Sequence, residues 1–349
     1  MAEYKLLLTG ATGFIGGTVL QQLIETTAAK SWSLSLTAVV RRSDQADLLN
    51  SKGVHTILVS GLDDTEALEK AASEHDIVVN VALGRHYEGP KSLIRGLAKR
   101  REQKGADVHF IHLSGTTCIA APSFRPYAFE LRTFSDKDTD IYDYELSREA
   151  HEAYDQRTAD VAVIQLGEAL NVKTYISMPP TVYGRGTGWF KTQSHQVPNL
   201  IQNAIRSRCA EHIGSGLART GLVHVVDLAR LFALLVTKVL EGQPIPNGKD
   251  GYYFSNAGDT NWLEVTTLIG RVGFELGALD TPQPRSISLE VAAEKIGEGD
   301  VGFTETCFAS NTSTRPEKSL GLGWKPLKTQ KDWEESIRES FEAIVRGAH

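Results

Sequence analysis

The stretch that most constrains this chain is residues 4–17, Y-K-L-L-L-T-G-A-T-G-F-I-G-G. Leu6, Leu7 and Leu8 make an apolar run of the kind that is buried on both faces of a parallel sheet. The run passes directly into Gly10, Gly13 and Gly16, and residues 18–26 then read as a helix. Such a strand, turn and helix start form a cradle for a diphosphate. The helix N–H groups point at the anion, and the missing Cβ atoms let it approach. The spacing is G-x-x-G-x-x-G, and the flanking strand and helix distinguish it from an ordinary glycine turn. A dinucleotide site is the expectation.

The strand–helix rhythm continues beyond the turn. Residues 33–40 read as a second strand, ending in Arg41-Arg42-Ser43. In a dinucleotide fold this strand end meets the adenosine ribose. An acid there bonds the 2′-OH of NAD, whereas guanidinium forks suit the 2′-phosphate of NADP. Arg41 and Arg42 therefore predict NADP in preference to NAD. Strands at 54–59, 76–81 and 108–113 alternate with helices at 64–72, capped by Asp64 or Thr65, and at 90–104. Repeated βα units predict an α/β, Rossmann-type doubly wound parallel sheet with helices on both faces. Its ligands lie beyond the carboxyl ends of the strands, which gathers residues 10–16, 41–42, 82–86 and 114–117 at one edge.

Residues 120–140 read as a long loop over that edge, 143–169 as one long helix, and 173–178 as a strand before the Pro179-Pro180 break. Residues 183–195, rich in glycine and aromatics, have the character of a substrate lid. A short strand at 222–226 and a helix at 227–240 are expected to return to the sheet. Helices at 198–208, 262–276, 289–296 and 333–344 belong to a smaller, mostly helical C-terminal substrate domain. The expected division is 1–178 with 221–258 for the dinucleotide-binding domain, and 179–220 with 259–349 for the substrate domain.

Charge and cysteine usage narrow the partners. A net charge of −6 without a Lys/Arg block argues against nucleic acid, and the basic residues of 90–104 read as a solvated helix face. Cys118, Cys209 and Cys307 are far apart and odd in number, which gives neither a disulfide framework nor metal-ligand spacing. The first strand begins almost at once, without a basic-then-apolar leader, and the apolar stretch at 231–236 is far too short to span a bilayer. The expectation is a cytoplasmic protein that handles a small-molecule substrate, without metal, membrane or nucleic acid.

The chemistry concentrates in residues 144–152, Y-E-L-S-R-E-A-H-E. On a helix Tyr144 and Arg148 share a face. A cation beside a phenol favours the phenolate and lets it exchange a proton with a substrate oxygen.

With these motifs in order, the chain resembles an extended short-chain dehydrogenase/reductase of the epimerase/dehydratase-like branch. Residues 9–16 resemble its T-G-x-x-G-x-x-G, Asn80-Val81-Ala82 its fourth-strand motif, and Leu113-Ser114-Gly115-Thr116 its fifth-strand motif. Residues 144–152 resemble its Y-x-x-S-K-x-x-x-E, 179–184 its R-P-x-x-V-Y-G segment, 224–227 its H-V-x-D and 322–326 its L-G-W-x-P. The resemblance implies that Thr116, with Ser114 as second candidate, bonds the reacting oxygen. It makes Tyr144 the general acid/base and puts Arg148 in the place of the family lysine. It also implies cofactor contacts from Gly10, Thr12, Gly13, Phe14, Ile15, Gly16, Arg41, Arg42, Leu62, Ala82, Pro179 and Val182, together with Tyr144 and Arg148. The family habit is a homodimer packed through the helices at 90–104 and 143–169.

Three departures stand out. Arg148 keeps the lysine's charge but cannot give up a proton, Met178 stands for an arginine, and Gly61 for an acid near the adenine. The expected function is an NADP-dependent oxidoreductase acting on a carbonyl or alcohol of a small organic metabolite. One alternative is an NAD(P)-dependent epimerase or dehydratase that recycles its cofactor in situ. Another, motivated by Arg148, is a non-catalytic NADP-binding sensor like the regulatory NmrA-type relatives. Arg85 and His86 open onto the same edge, with His86 as an alternative acid. Tyr183 is expected to pack near the nicotinamide, and Tyr127 and Trp189 to line a pocket.

Overall fold

The computed structural model describes residues 4–30, 33–82, 84–124 and 132–346. Seven strands form the main sheet: β1 (Tyr4–Thr9), β2 (Leu34–Val40), β3 (His55–Leu58), β4 (Ile77–Asn80), β5 (His109–Leu113), β6 (Lys173–Met178) and β7 (Tyr252–Phe254). All pair in parallel, in the order β7-β6-β5-β4-β1-β2-β3. The order reverses between β1 and β4, so their carboxyl ends flank a crevice.

Alternation along β1 explains its unbroken apolar run. Leu6 and Leu8 enter one core, where α1 (Phe14–Lys30) packs against a later helix, Val225–Leu240. Leu7 enters the opposite core beneath α3 (Thr65–Ala72), preceded by α2 (Ser43–Ser51), and α4 (Glu88–Lys104). The Asp64 carboxylate accepts from Ala67 N and caps α3. This is a Rossmann-type parallel sheet, followed by a smaller, mostly helical C-terminal region built around Ile201, Trp262, Ile269, Trp333 and Phe341.

Two expectations are corrected, and a third is extended. The single helix at 143–169 is two, α5 (Ile141–His151) and α6 (Asp155–Leu170). The break is held by buried Arg157, which donates from Nε to Glu149 Oε2 at 3.0 Å and from Nη2 to Glu152 O. Next, the strand expected to return to the sheet at 222–226 is Arg219–His224. It pairs with Thr181–Tyr183 and Gly258–Asn261 in a separate three-stranded sheet, and β7 is what joins β6. Finally, the described ends of the loop at 120–140 are stitched to the C-terminal region. Ala121 bridges Asn311, and Phe134–Ser135 pairs with Thr314–Arg315. Tyr127 lies outside the described residues.

Candidate functional site

The glycine turn is tight enough to require its glycines. Gly10 has φ +77°, and a Cβ on it would stand 2.8 Å from the Val81 carbonyl carbon. A Cβ on Gly16 would stand 2.0 Å from Gly10 O. Gly13 N donates to Gly10 O at 2.9 Å and Gly17 N to Gly13 O at 2.8 Å, which starts α1 immediately. The first N–H groups of such a helix lack intrahelical acceptors and carry the positive end of its dipole. Backbone without side chains at a helix N-terminus fits a dinucleotide diphosphate.

The expected lid is packed on this turn. A Cβ on Gly188 would lie 2.8 Å from Gly17 Cα, Thr187 N donates to Thr18 Oγ1 at 3.2 Å, and Lys191 N donates to Thr12 O at 3.4 Å. Trp189 packs against the apolar core beside α1. Tyr183 is buried edge-on to His224 and Trp333, and the Cβ-free Gly184, at φ +85°, makes room for the His224 ring.

Beyond the strand ends lies a cavity of about 270 Å³, walled by Phe14, Ile15, Ser114, Thr116, Pro179 and Val182 on the sheet side. His195, Trp262 and Cys307 close it from the C-terminal region. Ser114 N donates to Ser177 O at 2.8 Å and Thr116 N to Pro179 O at 3.0 Å, which fixes the end of β5 against β6. Ser194 and His195 also line a larger cavity of about 1160 Å³, with Arg85, Arg185, Lys191 and Arg206 among its walls. Of the remaining expected cofactor residues, the Ala82 amide lies against Gly10 and the Leu62 carbonyl against the start of α4. His86 is tied down, with Nε2 2.9 Å from Asp63 and Nδ1 accepting from Gly89 N at 3.0 Å.

Tyr144 and Arg148 meet as their spacing predicts, with Arg148 Nη1 donating to the Tyr144 hydroxyl at 3.0 Å. Arg148 also donates to Ala120 O at 3.1 Å, and the Tyr144 ring stands edge-on to Phe134 at 4.7 Å. Neither residue is in the walls of the cavity that holds Ser114 and Thr116. The pair forms, and through Ala120 O its arginine reaches the residue that follows the turn Thr116–Ile119.

Three residues at or within α6 escaped the sequence reading. Tyr154, at the N-cap of α6, has a buried hydroxyl without a hydrogen-bond partner, and burial pushes its phenol up to about 12. Beside it Gln156 lies against Gly84 and Gly115 and accepts from Thr117 Oγ1 at 2.9 Å. A search for a tyrosine–cation pair passes over Tyr154, because the residue four positions on is Thr158, bonded to Glu149 and to Tyr154 O. Asp160, one turn further into α6, is fully buried and accepts from the Ser114 hydroxyl. Burial pushes its carboxyl up to about 7. No local pattern marks Asp160, because its importance depends on what it meets.

Arg41 and Arg42 lie exposed at the end of β2. Arg42 directs its guanidinium onto Asp44, Nε to Oδ1 at 2.8 Å and Nη2 to Oδ2 at 2.6 Å. The fork that was to hold a 2′-phosphate is therefore occupied by a carboxylate from its own chain.

The fold and this edge agree with comparison to known proteins. The chain belongs to the NAD-dependent epimerase/dehydratase family, matching it over residues 6–247. That places it among NAD(P)-binding enzymes with an epimerase/dehydratase-like fold. It is 27% identical to the oxidase ucsJ of Acremonium sp over 337 residues, 93% of each chain. Among solved structures it is similar to DesIV, a dTDP-glucose 4,6-dehydratase from Streptomyces venezuelae with NAD and TYD bound (TM-score 0.67, 15% identity, 98% of each chain). It is also similar to a dTDP-glucose 4,6-dehydratase from Bacillus anthracis in complex with NAD (TM-score 0.62, 12% identity, 98% of this chain and 97% of that one). Both structures hold NAD, and the family is described as NAD-dependent. With Arg42 engaged by Asp44, these findings overturn the expectation of NADP. No described helix is long and apolar enough to cross a membrane.

Proposed function

We propose that this protein binds NAD at the Gly10–Gly16 turn and acts as an epimerase- or dehydratase-type enzyme, returning hydride to the substrate that supplied it. The observation that carries the reading is the cavity at the strand ends, where the hydroxyl-bearing Ser114 and Thr116 face Phe14, Ile15, Pro179 and Val182. Gly10, Gly13, Gly16 and the first amides of α1 would hold the diphosphate, and Pro179 and Val182 would flank the nicotinamide. Bound there, the dinucleotide supplies a hydride acceptor and donor. Ser114 and Thr116 would bond the substrate oxygen that gains and loses a proton. The rest of a sugar-nucleotide or other small metabolite would extend past Ser194 and His195 into the larger cavity, whose cations suit an anionic portion.

The test is incubation of the purified protein with NAD and a panel of sugar nucleotides and small hydroxy-metabolites. Product and deuterium at the reacting carbon are followed by NMR, and NADH by absorbance. Product formation, or exchange of carbon-bound deuterium, without accumulating NADH is expected. NADH accumulating in step with product would replace the reading by a net dehydrogenase. Failure to bind NAD would refute it outright. A binding-only role is the second reading, favoured by the uncharged Thr158 four residues after Tyr154. It is selected by tight NAD binding with no exchange across the panel.

A further inference from the structure

Behind the cavity wall, polar side chains from five elements meet out of water. They are His112 on β5, Ser114 just past it, Cys118 in the turn Thr116–Ile119, Glu145 on α5, Asp160 on α6 and Tyr252 on β7, none more than 5% exposed. Each carboxyl has one oxygen engaged. Asp160 Oδ2 accepts from Ser114, and Glu145 Oε2 accepts from the Tyr252 hydroxyl at 2.8 Å. The other two oxygens, Asp160 Oδ1 and Glu145 Oε1, have no hydrogen-bond partner. An oxygen of each carboxyl and Cys118 Sγ lie within 4.8 Å of one another. Two buried carboxylates this close cannot both stay charged, because their repulsion and desolvation both favour a proton on one of them. The nearby cation, Arg157, is committed elsewhere, with Nε on Glu149 and Nη1 on Cys118 O at 3.0 Å.

His112 sets the character of the cluster. Asn80 Oδ1 accepts from the Thr9 hydroxyl, so the Asn80 amide nitrogen faces His112 Nδ1 at 2.9 Å. That ring nitrogen accepts, and the ring hydrogen is on Nε2, 3.5 Å from Asp160 Oδ1. His112 thus presents a donor, where a metal would need a bare nitrogen. The arrangement favours a proton over a cation.

We propose that Glu145 and Asp160 hold one proton between them, and that Ser114 passes a proton between this pair and the substrate oxygen in the cavity. This rests on the cofactor-recycling reading above. As hydride leaves the substrate carbon, the substrate O–H breaks and its proton goes to Ser114 Oγ. The original Ser114 proton moves to Asp160, so the pair goes from one proton to two. When hydride returns, both transfers reverse. No proton is gained from solvent or lost to it over the cycle, as suits a pair sealed from water. Burial raises both carboxyls and the Cys118 thiol and holds His112 down at about 4. Ser114 is the catalytic residue, and Asp160 and Glu145 act through it.

The experiment is infrared spectroscopy of the whole protein, which reads the carbonyl stretch of a protonated carboxylic acid. At neutral pH the parent protein should show this band, shifted in D160N and in E145Q, where the remaining carboxyl stays buried, and lost only in the double variant D160N/E145Q, with D160E retaining it. S114A should keep the band, while its deuteration after transfer to D2O slows by at least about tenfold, because the hydroxyl is the route to the cavity. NAD binding by each variant reports that the fold persists. A parent protein without the band, or deuteration in S114A at the parent rate, overturns the proposal. So does a stoichiometric metal in elemental analysis. A protein that shows the band and its slowed deuteration in S114A but binds no NAD sinks the functional reading, and the relay to substrate with it, while the shared proton stands.

Discussion

A graded glycine series tests whether the opening turn holds the dinucleotide through backbone geometry. Real Cβ atoms essentially never approach other atoms closer than 3.0 Å. A Cβ on Gly16 would meet Gly10 O at 2.0 Å and Gly10 C at 2.6 Å, and both are backbone atoms. The turn and the first residues of α1 must therefore separate by about 1 Å, which is enough to misalign the amides that would face the diphosphate. Losing one such hydrogen bond to a charged group costs about 1.5–3 kcal/mol, or roughly 10- to 150-fold in Kd. Gly13 is a milder position, because its Cβ would lie 3.3 Å from Gly10 O, a contact that a shift of a few tenths of an ångström relieves. Gly321 meets nothing within 4 Å and serves as the neutral control.

The expected order of NAD affinity is G321A equal to the parent, G13A slightly weaker and G16A weaker by the factor above. Calorimetric titration with NAD would measure it, with thermal unfolding to separate lost binding from lost fold. If G16A binds NAD within about twofold of the parent while remaining folded, the diphosphate is not cradled by this turn.

Three further outcomes follow from other sites. R42A should change NAD affinity by less than about twofold, since the guanidinium is engaged by Asp44; a loss of tenfold or more in the same titration would show that it reaches the cofactor. D76N should cost about 2 kcal/mol in urea unfolding, discounted because Arg100 and Lys104, which bond the buried Asp76, are themselves partly exposed. Burial pushes the Asp76 carboxyl up, but Lys104, the Lys5 amide and Arg100 bring it below its ordinary value. Its stabilisation is present above pH ~4 and lost as pH falls further, so the gap between parent and D76N should close in acid. Asp160 behaves oppositely: raised to about 7, it contributes fully below pH ~4 and loses that contribution as pH rises through neutrality. D160N should therefore unfold with a flatter dependence over that interval, by up to about 1 kcal/mol per pH unit, as read from urea midpoints across pH.

Much of the sheet was legible because its signals are local. Leu6, Leu7 and Leu8 are apolar without a gap since both faces of β1 are covered, and a glycine turn follows wherever backbone must touch backbone. Ser114, Thr116, Pro179 and Val182 were legible as strand-end positions, and the fold brings them to one cavity. The break between α5 and α6 was not. Residues 143–169 carry no proline to stop a helix, and what divides them is the bonding of Arg157 to Glu149 and Glu152 across the gap. The cofactor preference failed for a nearer reason: Asp44 stands two residues after Arg42, close enough to take its fork.

That break also sets where the side chains of α5 and α6 go. Tyr144 and Glu145 are consecutive on α5, so their side chains diverge by about 100° around its axis. Tyr144 goes to Phe134 and Arg148, and Glu145 goes inward to Tyr252 and toward Asp160. With α6 starting afresh at Asp155, Gln156 is set against Gly84 and Gly115 past the ends of the strands, and Asp160 comes within reach of Ser114. The Tyr154 phenol, held near 12 by burial, with no cation four residues on, stays protonated and is a weak partner for proton exchange at neutral pH. A carboxyl near 7 is matched to that task, and Asp160 accepts from the hydroxyl of Ser114, a residue of the cavity wall. The spacing that suggested a tyrosine–arginine pair thus located a real contact on a neighbouring helix. The buried carboxyls behind Ser114 belong to no local pattern, and only the packing of α5 and α6 against β5 and β7 could assemble them.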